Sequence, residues 1–246
     1  MSSKVLAELA PTGVLRAGIN LSNFLLVSAR GAGGEPVGVA PDMAKAIADR
    51  LGVDVRYVTF PAPGALADAV DEDAWDVGLI GAEPQRAARI AFSTPYVEID
   101  ATYLVPPGSA LRDVGRVDAE GVRIASTARA AYDLWLERNI RMATVVRAAS
   151  TDAAFDAFAA DRLDALAGLR PRLVQDQARM PGARVLEGHF MTVQQAIGTS
   201  RRNVAAQAWL EAFVAEAKAS GLVARLIGKH KVAGLSVARD APSSDT

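Results

Sequence analysis

The sequence predicts an α/β protein made of two lobes. Short β-rich runs alternate with segments of helical period through the first two thirds of the chain, a pattern typical of sheets covered by helices. Two extended segments, 99–105 and 192–198, are placed to connect the lobes. If both are crossovers, the first lobe is discontinuous and consists of 1–103 plus 195–246, and the second lobe, 104–194, is inserted into it. A cleft between such lobes is the expected ligand site.

The first lobe begins with alternating elements. Runs rich in β-branched residues predict strands, and apolar residues at a spacing of three to four predict helices. In chain order we expect a strand at 14–19, a helix at 42–51, a strand at 53–58, a helix at 65–70 and a strand at 77–80.

The second lobe repeats the alternation, and the chain then ends in two helices. We expect strands at 122–125, 144–146 and 165–167 and helices at 130–138, 152–160, 204–219 and 222–229. Gly221 separates the last two helices, where a glycine suits the residue after a helix end. Parallel sheets under helices are therefore expected in both lobes.

Composition excludes several functions. The 246 residues include 27 basic and 28 acidic side chains, a net charge of −1, so no basic surface for nucleic acid is expected. The absence of cysteine excludes disulfides and thiolate chemistry, and His189 and His230 are too few and too far apart for a multi-histidine metal centre. We expect no cofactor. No apolar run approaches the ~20 residues needed to span a bilayer.

Several segments resemble the motifs of one protein family, and they follow one another along the chain in the same order as in that family. A strand at 15–20 is followed by a glycine and an aspartate entering a helix at 38–52, and then by the runs 75–81, 84–86 and 91–96. Later matches lie at 162–166 and 217–226. Over nearly its whole length the chain resembles the family 3 extracellular solute-binding proteins, the polar amino-acid binding proteins of ABC importers.

The resemblance implies a type II periplasmic-binding-protein fold, with two β-sheets flanked by helices and two hinge crossovers. It also implies a substrate-binding component that closes on a small carboxylate-bearing solute, either amino-acid-like or an organic acid. We expect a monomer without a cofactor, and an ABC transporter permease as partner if the protein is exported. Family members are periplasmic, but Glu8 and Pro11 interrupt any export signal, so a native start at Met1 would imply a cytoplasmic protein.

The resemblance implies ligand contacts in the first lobe. Arg86 lies where the family anchors a carboxylate, for which a planar guanidinium is suited. The alternative is a solvated arginine in an alanine-rich helix. The preceding loop, Gly81, Ala82 and Glu83, is a further part of the predicted ligand wall, although it is shorter than the family's loop and lacks its hydroxyl groups.

Three more residues complete the first-lobe set. Asn20 ends the first strand, where its amide can donate and accept hydrogen bonds in place of the acidic residue that is frequent in the family. Phe24 lies where the family has an aromatic or apolar wall, and the alternative is a core residue. Gln194, on the second extended segment, is also predicted to contact the ligand.

In the second lobe, the helix that begins near Ala130 would direct backbone N–H groups at an anion. Arg129 and Ala130 replace the family's glycine and hydroxyl residue, and Thr127 lies just upstream. Arg129 could face ligand or solvent. Leu169 stands where amino-acid binders have the aspartate that holds the α-ammonium, so an anion without a free α-amine is the expected ligand.

Two other functions remain open from the sequence. A cyclohexadienyl-dehydratase-like enzyme on the same fold would need a general acid, for which Glu98 and Glu83 are the candidates, and the prediction is that the protein is not an enzyme. A stand-alone small-molecule sensor would need a partner to relay its state. Permease and ATPase genes next to the protein's own gene would favour the importer.

Overall fold

A computed structural model describes residues 2–239, which form two compact units. The first unit contains the chain up to Glu98 and from Gln194 onward, and the second contains Ile99–Val193. The chain thus crosses between units five residues before the first predicted boundary and one residue before the second. Both crossings lie inside continuous strands, so no break in the strand pattern marks them. Met1 and the predicted end of the first lobe, 240–246, lie outside the described residues.

The first unit contains α1 (Ser3–Leu9), β1 (Val14–Asn20), β2 (Ala29–Arg30), β3 (Pro36–Val37), α2 (Val39–Leu51), β4 (Asp54–Phe60), α3 (Pro63–Asp68), β5 (Val77–Gly81), α4 (Pro84–Ala87), β6 (Ile90–Phe92), α8 (Val204–Ala219), α9 (Leu222–His230) and β13 (Ser236–Val237), with parts of β7 (Val97–Val105) and β12 (Met191–Ser200). Its main strands lie in the order β4-β1-β5-β12. Strand β1 is parallel to β4 and β5, whereas β12 is antiparallel to β5 and β6.

The core of the first unit forms around β5, all five residues of which are buried. Trp75 packs with Leu66 and Ile80, and its indole N–H donates to the Leu66 carbonyl at 2.9 Å. The neighbouring Asp76 carboxylate is buried and accepts hydrogen bonds from the backbone N–H and guanidinium of Arg16 at 2.8 and 2.6 Å. These contacts fix the start of β5 beside β1.

Besides its parts of β7 and β12, the second unit contains a 3₁₀ turn (Val114–Arg116), β8 (Arg123–Thr127), α5 (Ala131–Asn139), β9 (Thr144–Ala148), α6 (Thr151–Ala160), β10 (Ala165–Leu169), α7 (Arg170–Arg179) and β11 (Arg184–Val185). Its main strands lie in the order β7-β10-β8-β9. Strand β8 is parallel to β9 and β10, and β7 is antiparallel to β10 and β11.

Two apolar clusters cover the two faces of this second sheet. Ile124 packs with Tyr132 and Leu136 of α5, whereas the adjacent Ala125 packs with Phe155 and other residues of α6. Successive residues of a strand point to opposite faces, which explains the division. No helix in the described part of the chain is long and apolar enough to cross a membrane.

Candidate functional site

The predicted ligand residues lie near the carboxyl ends of parallel strands in each unit. In the first unit Asn20 ends β1 and Gly81 ends β5; in the second, Thr127 ends β8 and Leu169 ends β10. In α/β sheets, ligands bind beyond the carboxyl ends of the strands, where the backbone leaves the sheet and loops can shape a pocket. These two edges are the candidate binding surfaces.

The edge of the first unit is organised by the turn after β5. The Ala82 N–H donates to the Gln194 carbonyl at 2.8 Å, and Gly81 pairs with the next residue of β12. Glu83 is buried and precedes α4, whose Ala87 N–H donates to the Glu83 carbonyl at 2.9 Å. Gly81, Ala82, Glu83 and Gln194 are therefore brought together, as a ligand wall would require.

Arg86 lies on α4 at the same turn. Its side chain is not solvated, because the residue is only 4% exposed. Its Nη1 donates to the Gly81 carbonyl at 2.7 Å. The guanidinium is thus held against the end of β5, and the alternative of a solvated surface arginine does not fit this burial.

Asn20 and Phe24 lie on the adjacent loop after β1. The Asn20 Oδ1 accepts hydrogen bonds from the Ser22 N–H at 3.1 Å and the Ser22 hydroxyl at 2.8 Å, so the side chain fixes its own turn. Phe24 is half-buried. The Asn20 Oδ1 therefore has a structural role in this turn.

Gln194 reaches toward a carboxylate on the neighbouring strand. Its Nε2 donates to Glu98 Oε2 at 3.3 Å, while its Oε1 is buried and has no hydrogen-bond partner among residues 2–239. A buried amide oxygen without a partner is costly, since most such atoms in proteins are satisfied. A bound molecule with an N–H or O–H group could satisfy it.

In the second unit a buried carboxylate stabilises the turn between β8 and α5 through hydrogen bonds. Asp133, only 2% exposed, accepts hydrogen bonds from the Arg129 backbone N–H at 2.9 Å and from Arg147 Nε at 2.9 Å. Arg129 has φ +61°, a left-handed conformation that favours glycine, and its side chain is exposed. Ala130 precedes the helix and gives it no side-chain cap, so N–H groups at this end stay available to an anion.

Sequence reasoning did not single out Asp133 or Arg147 at this edge, although Ser126 lies next to the predicted Thr127. Ser126 is fully buried on β8, and its hydroxyl has no hydrogen-bond partner within the described chain. Asp133 could have been recognised by its place in the first turn of a helix, where acidic residues are favoured. Arg147 is one arginine on a short strand, which carries no signal in a single sequence.

Leu169 is both the last residue of β10 and the residue that precedes α7. Its side chain packs against the apolar cluster that contains Tyr103 and Tyr132. Apolar packing therefore accommodates a leucine at the position where the family resemblance implies an aspartate. This position contributes no charge to the edge.

Comparison with known families supplies the identification. The family model of the bacterial extracellular solute-binding proteins, family 3, matches residues 16–232. The chain belongs to this family. No curated protein is similar enough in sequence to add to the assignment.

Solved structures of other solute-binding proteins have the same fold as this family 3 member. A mutant of ArgBP from T. maritima is 22% identical, with a TM-score of 0.74 over 92% of this chain and 99% of that one. An amino acid ABC transporter substrate-binding protein from Streptococcus pneumoniae, bound to L-arginine, is 20% identical, with a TM-score of 0.74 over 96% of this chain and 100% of that one.

A third similar structure is the ancestral amino-acid-binding protein AncCDT-1, described as a precursor of cyclohexadienyl dehydratase. It is 21% identical, with a TM-score of 0.72 over 91% of this chain and 98% of that one. The predicted family and type II periplasmic-binding-protein fold are confirmed. As for metals, no group of three or more His, Asp or Glu residues within 2–239 could hold an ion.

Proposed function

We propose that this solute-binding protein is the substrate-binding component of an ABC-type importer and that it closes on a small carboxylate-bearing solute. The observation that carries the proposal is the buried Arg86 at the carboxyl end of β5 in a family 3 member. A guanidinium can bind a carboxylate through two parallel hydrogen bonds, and in a water-poor setting such charge-assisted bonds are strong. The hinge role of the two crossing strands is part of this proposal.

We propose further that the solute lacks a free α-amine. Leu169 is apolar, and the buried Asp133 near the second edge already accepts hydrogen bonds from Arg147 and the Arg129 N–H. An ammonium placed there would lack an uncommitted carboxylate, and an unpaired buried charge costs several kcal/mol. Arg129 adds positive charge at the same turn, which favours anions.

The Arg86→Ala variant tests the carboxylate anchor. We expect it to weaken binding of the best carboxylate ligand by roughly 2–5 kcal/mol, the range for truncating one member of a buried charged pair. Calorimetric titration of both proteins measures the change. Arg89→Ala is the matched control, because Arg89 forms exposed ion pairs with Asp68 and Asp71 and should leave the dissociation constant unchanged. Equal affinity for Arg86→Ala and the parent would refute the anchor.

Binding without catalysis is the remaining part of the proposal. Glu98, the candidate general acid, accepts a hydrogen bond from Gln194 Nε2 and lies 3.7 Å from Arg239 Nε, so its carboxylate already contacts two protein groups. A general acid must instead be positioned to donate a proton to the substrate. Turnover of prephenate or arogenate that is lost in Glu98→Gln would favour the dehydratase alternative.

A further inference from the structure

Arg147 on β9 lies beside the start of α5 in the second unit and is not among the predicted ligand contacts. Its Nε donates to both carboxylate oxygens of Asp133, at 2.9 and 3.1 Å. The Asp133 Oδ2 also accepts a hydrogen bond from the Arg129 backbone N–H at 2.9 Å. One carboxylate therefore holds the guanidinium next to the backbone turn that leads into the helix.

The terminal nitrogens of Arg147 are not used in this pair. Within residues 2–239, neither Nη1 nor Nη2 donates a hydrogen bond to the protein. The Arg147 side chain is 40% exposed, whereas the Asp133 side chain is buried, so the guanidinium is fixed through Nε and its outer part is accessible. Two Nη groups in one plane are suited to bind a carboxylate or another oxyanion.

A buried hydroxyl group lies beside Arg147 on the neighbouring strand. Ser126 pairs with Arg147 in the register of β8 and β9. Ile124, two residues before Ser126, packs against α5, so Ser126 lies on the same face of the sheet, toward that helix. Ser126 is fully buried, and its hydroxyl has no hydrogen-bond partner in the part of the chain that the structure describes. Most buried hydroxyl groups have such a partner.

We propose that Arg147 and the start of α5 form a second anion site, with the Ser126 hydroxyl as a further donor, and that the solute is therefore a dianion such as a dicarboxylate. This inference rests on the proposed function, in which Arg86 binds the first carboxylate. Helix α5 has no side-chain cap, so its first N–H groups can donate to an anion. Arg129, Arg147 and Asp133 together contribute one net positive charge, and the helix start adds partial positive charge.

Calorimetric titration of the whole protein with succinate, glutarate and adipate, each compared with its own monoamide, tests the second anion site. A dicarboxylate and its monoamide have the same length and differ by one negative charge. We expect at least one of the dicarboxylates to bind about 10- to 100-fold more tightly than its monoamide, because hydrogen bonds to a charged acceptor are the stronger ones. Equal dissociation constants within every pair, or no binding by any dicarboxylate, would overturn the proposal.

Substitution of Arg147 tests its contact with the solute. Arg147→Gln should weaken binding of that dicarboxylate by about 10- to 100-fold and binding of its monoamide by less than about threefold. Arg123→Gln is the matched control, because Arg123 is also a half-exposed strand arginine paired with an aspartate, Asp164, but it begins β8, whereas Thr127 ends it. This control should leave both dissociation constants unchanged.

A purely structural role of Arg147 would give a different result. If Arg147→Gln weakens both compounds equally, the arginine only supports the turn through Asp133, and its contact with the solute is refuted. Arg147→Lys is the second variant, because lysine keeps the charge next to Asp133 but has one terminal nitrogen instead of two. It should also lose more affinity for the dicarboxylate than for the monoamide, and equal losses would again refute the contact.

Arg86→Ala distinguishes failure of this inference from failure of the proposed function. It should weaken binding of the dicarboxylate and of the monoamide alike, because both compounds keep the first carboxylate. If Arg86→Ala changes neither dissociation constant, the proposed function fails. If it weakens both while the dicarboxylates bind no better than their monoamides, only the second anion site is refuted.

Discussion

Two residues that precede helices, Gly38 and Arg129, have backbone conformations that favour glycine, although only one of them is a glycine. Gly38, which precedes α2, has φ +155°, and a Cβ atom there would lie 2.2 Å from the Leu26 carbonyl oxygen, so no other residue fits. Arg129 has φ +61° at a position where the family resemblance places a glycine. The turn before α5 thus has a conformation suited to glycine even though the residue is an arginine, and the Asp133 carboxylate holds its N–H.

Arg129→Gly should therefore stabilise the protein. A left-handed conformation costs a non-glycine residue about 1–2 kcal/mol, and the extra freedom of glycine in the unfolded chain offsets part of that gain. We expect a net increase of about 0.5–1 kcal/mol in the free energy of unfolding, measured by urea denaturation.

The matched control is Arg56→Gly, which replaces an exposed arginine on β4 and should destabilise the protein by roughly 0.5–1 kcal/mol. If both variants lose stability equally, the left-handed conformation of Arg129 is not a source of strain.

At the scale of elements, periodic segments were predictable and short or atypical ones were not. The helix at 204–219 and the six strands expected at 14–19, 53–58, 77–80, 122–125, 144–146 and 165–167 match observed elements, because their apolar spacing is regular. Helix α7 was missed, since its residues are mostly polar and it buries only Leu173 and Asp176. Asp176 is held by Arg172 and Arg179, so ion pairs replace the apolar stripe that would have signalled a helix.

The start of α2 and the end of α9 are joined by Asp42, with consequences for stability at low pH. The Asp42 carboxylate contacts Lys229 Nζ and His230 Nε2, each at 2.7 Å. Burial alone would raise the pKa of Asp42, but the hydrogen bonds from Lys229 and His230 lower it below 3.8 overall. The ionised form is thus favoured in the folded state. This contribution is complete above the unfolded-state pKa and is lost as the pH falls through the folded-state pKa.

Asp42→Asn should therefore be less stable than the parent by about 1 kcal/mol at neutral pH, and the difference should shrink as the pH falls below about 4. Urea denaturation at a series of pH values measures both quantities. Asp49→Asn is the control, because its ion pair with Lys45 is exposed on α2 and should matter little at any pH. A difference between Asp42→Asn and the parent that does not depend on pH would rule out the ionised pair as its cause.

At the scale of the whole molecule, the sequence predicted the fold and family, whereas the chemistry of the edges depends on contacts between distant residues. The order of motifs along the chain was enough for the family, because each motif occupies a fixed place in the topology. The link between Asp133 and Arg147 joins a helix to a strand 14 residues away, and Gln194 meets Glu98 across 96 residues. A single sequence gives no evidence for such pairs. The burial of Arg86 and the pairing of Asp133 with Arg147 were therefore not predictable.

The contacts at the two strand edges determine which solute the whole molecule can bind. The best test is a thermal-shift panel in which each standard amino acid is compared with its deamino and N-acetyl analogues, which differ only at the α-amine. A ligand at 100 times its dissociation constant stabilises the folded state by about 2.7 kcal/mol, which for a chain of this size is a shift of roughly 5–10 °C. We expect the analogues without a free amine to give the larger shifts, because Leu169 is apolar and Asp133 is already paired. Arg86→Ala should remove most of each shift at the same ligand concentration. If a free amino acid gives the largest shift and its analogues give none, another acceptor must hold the ammonium, with Glu83 and Glu98 the first to mutate.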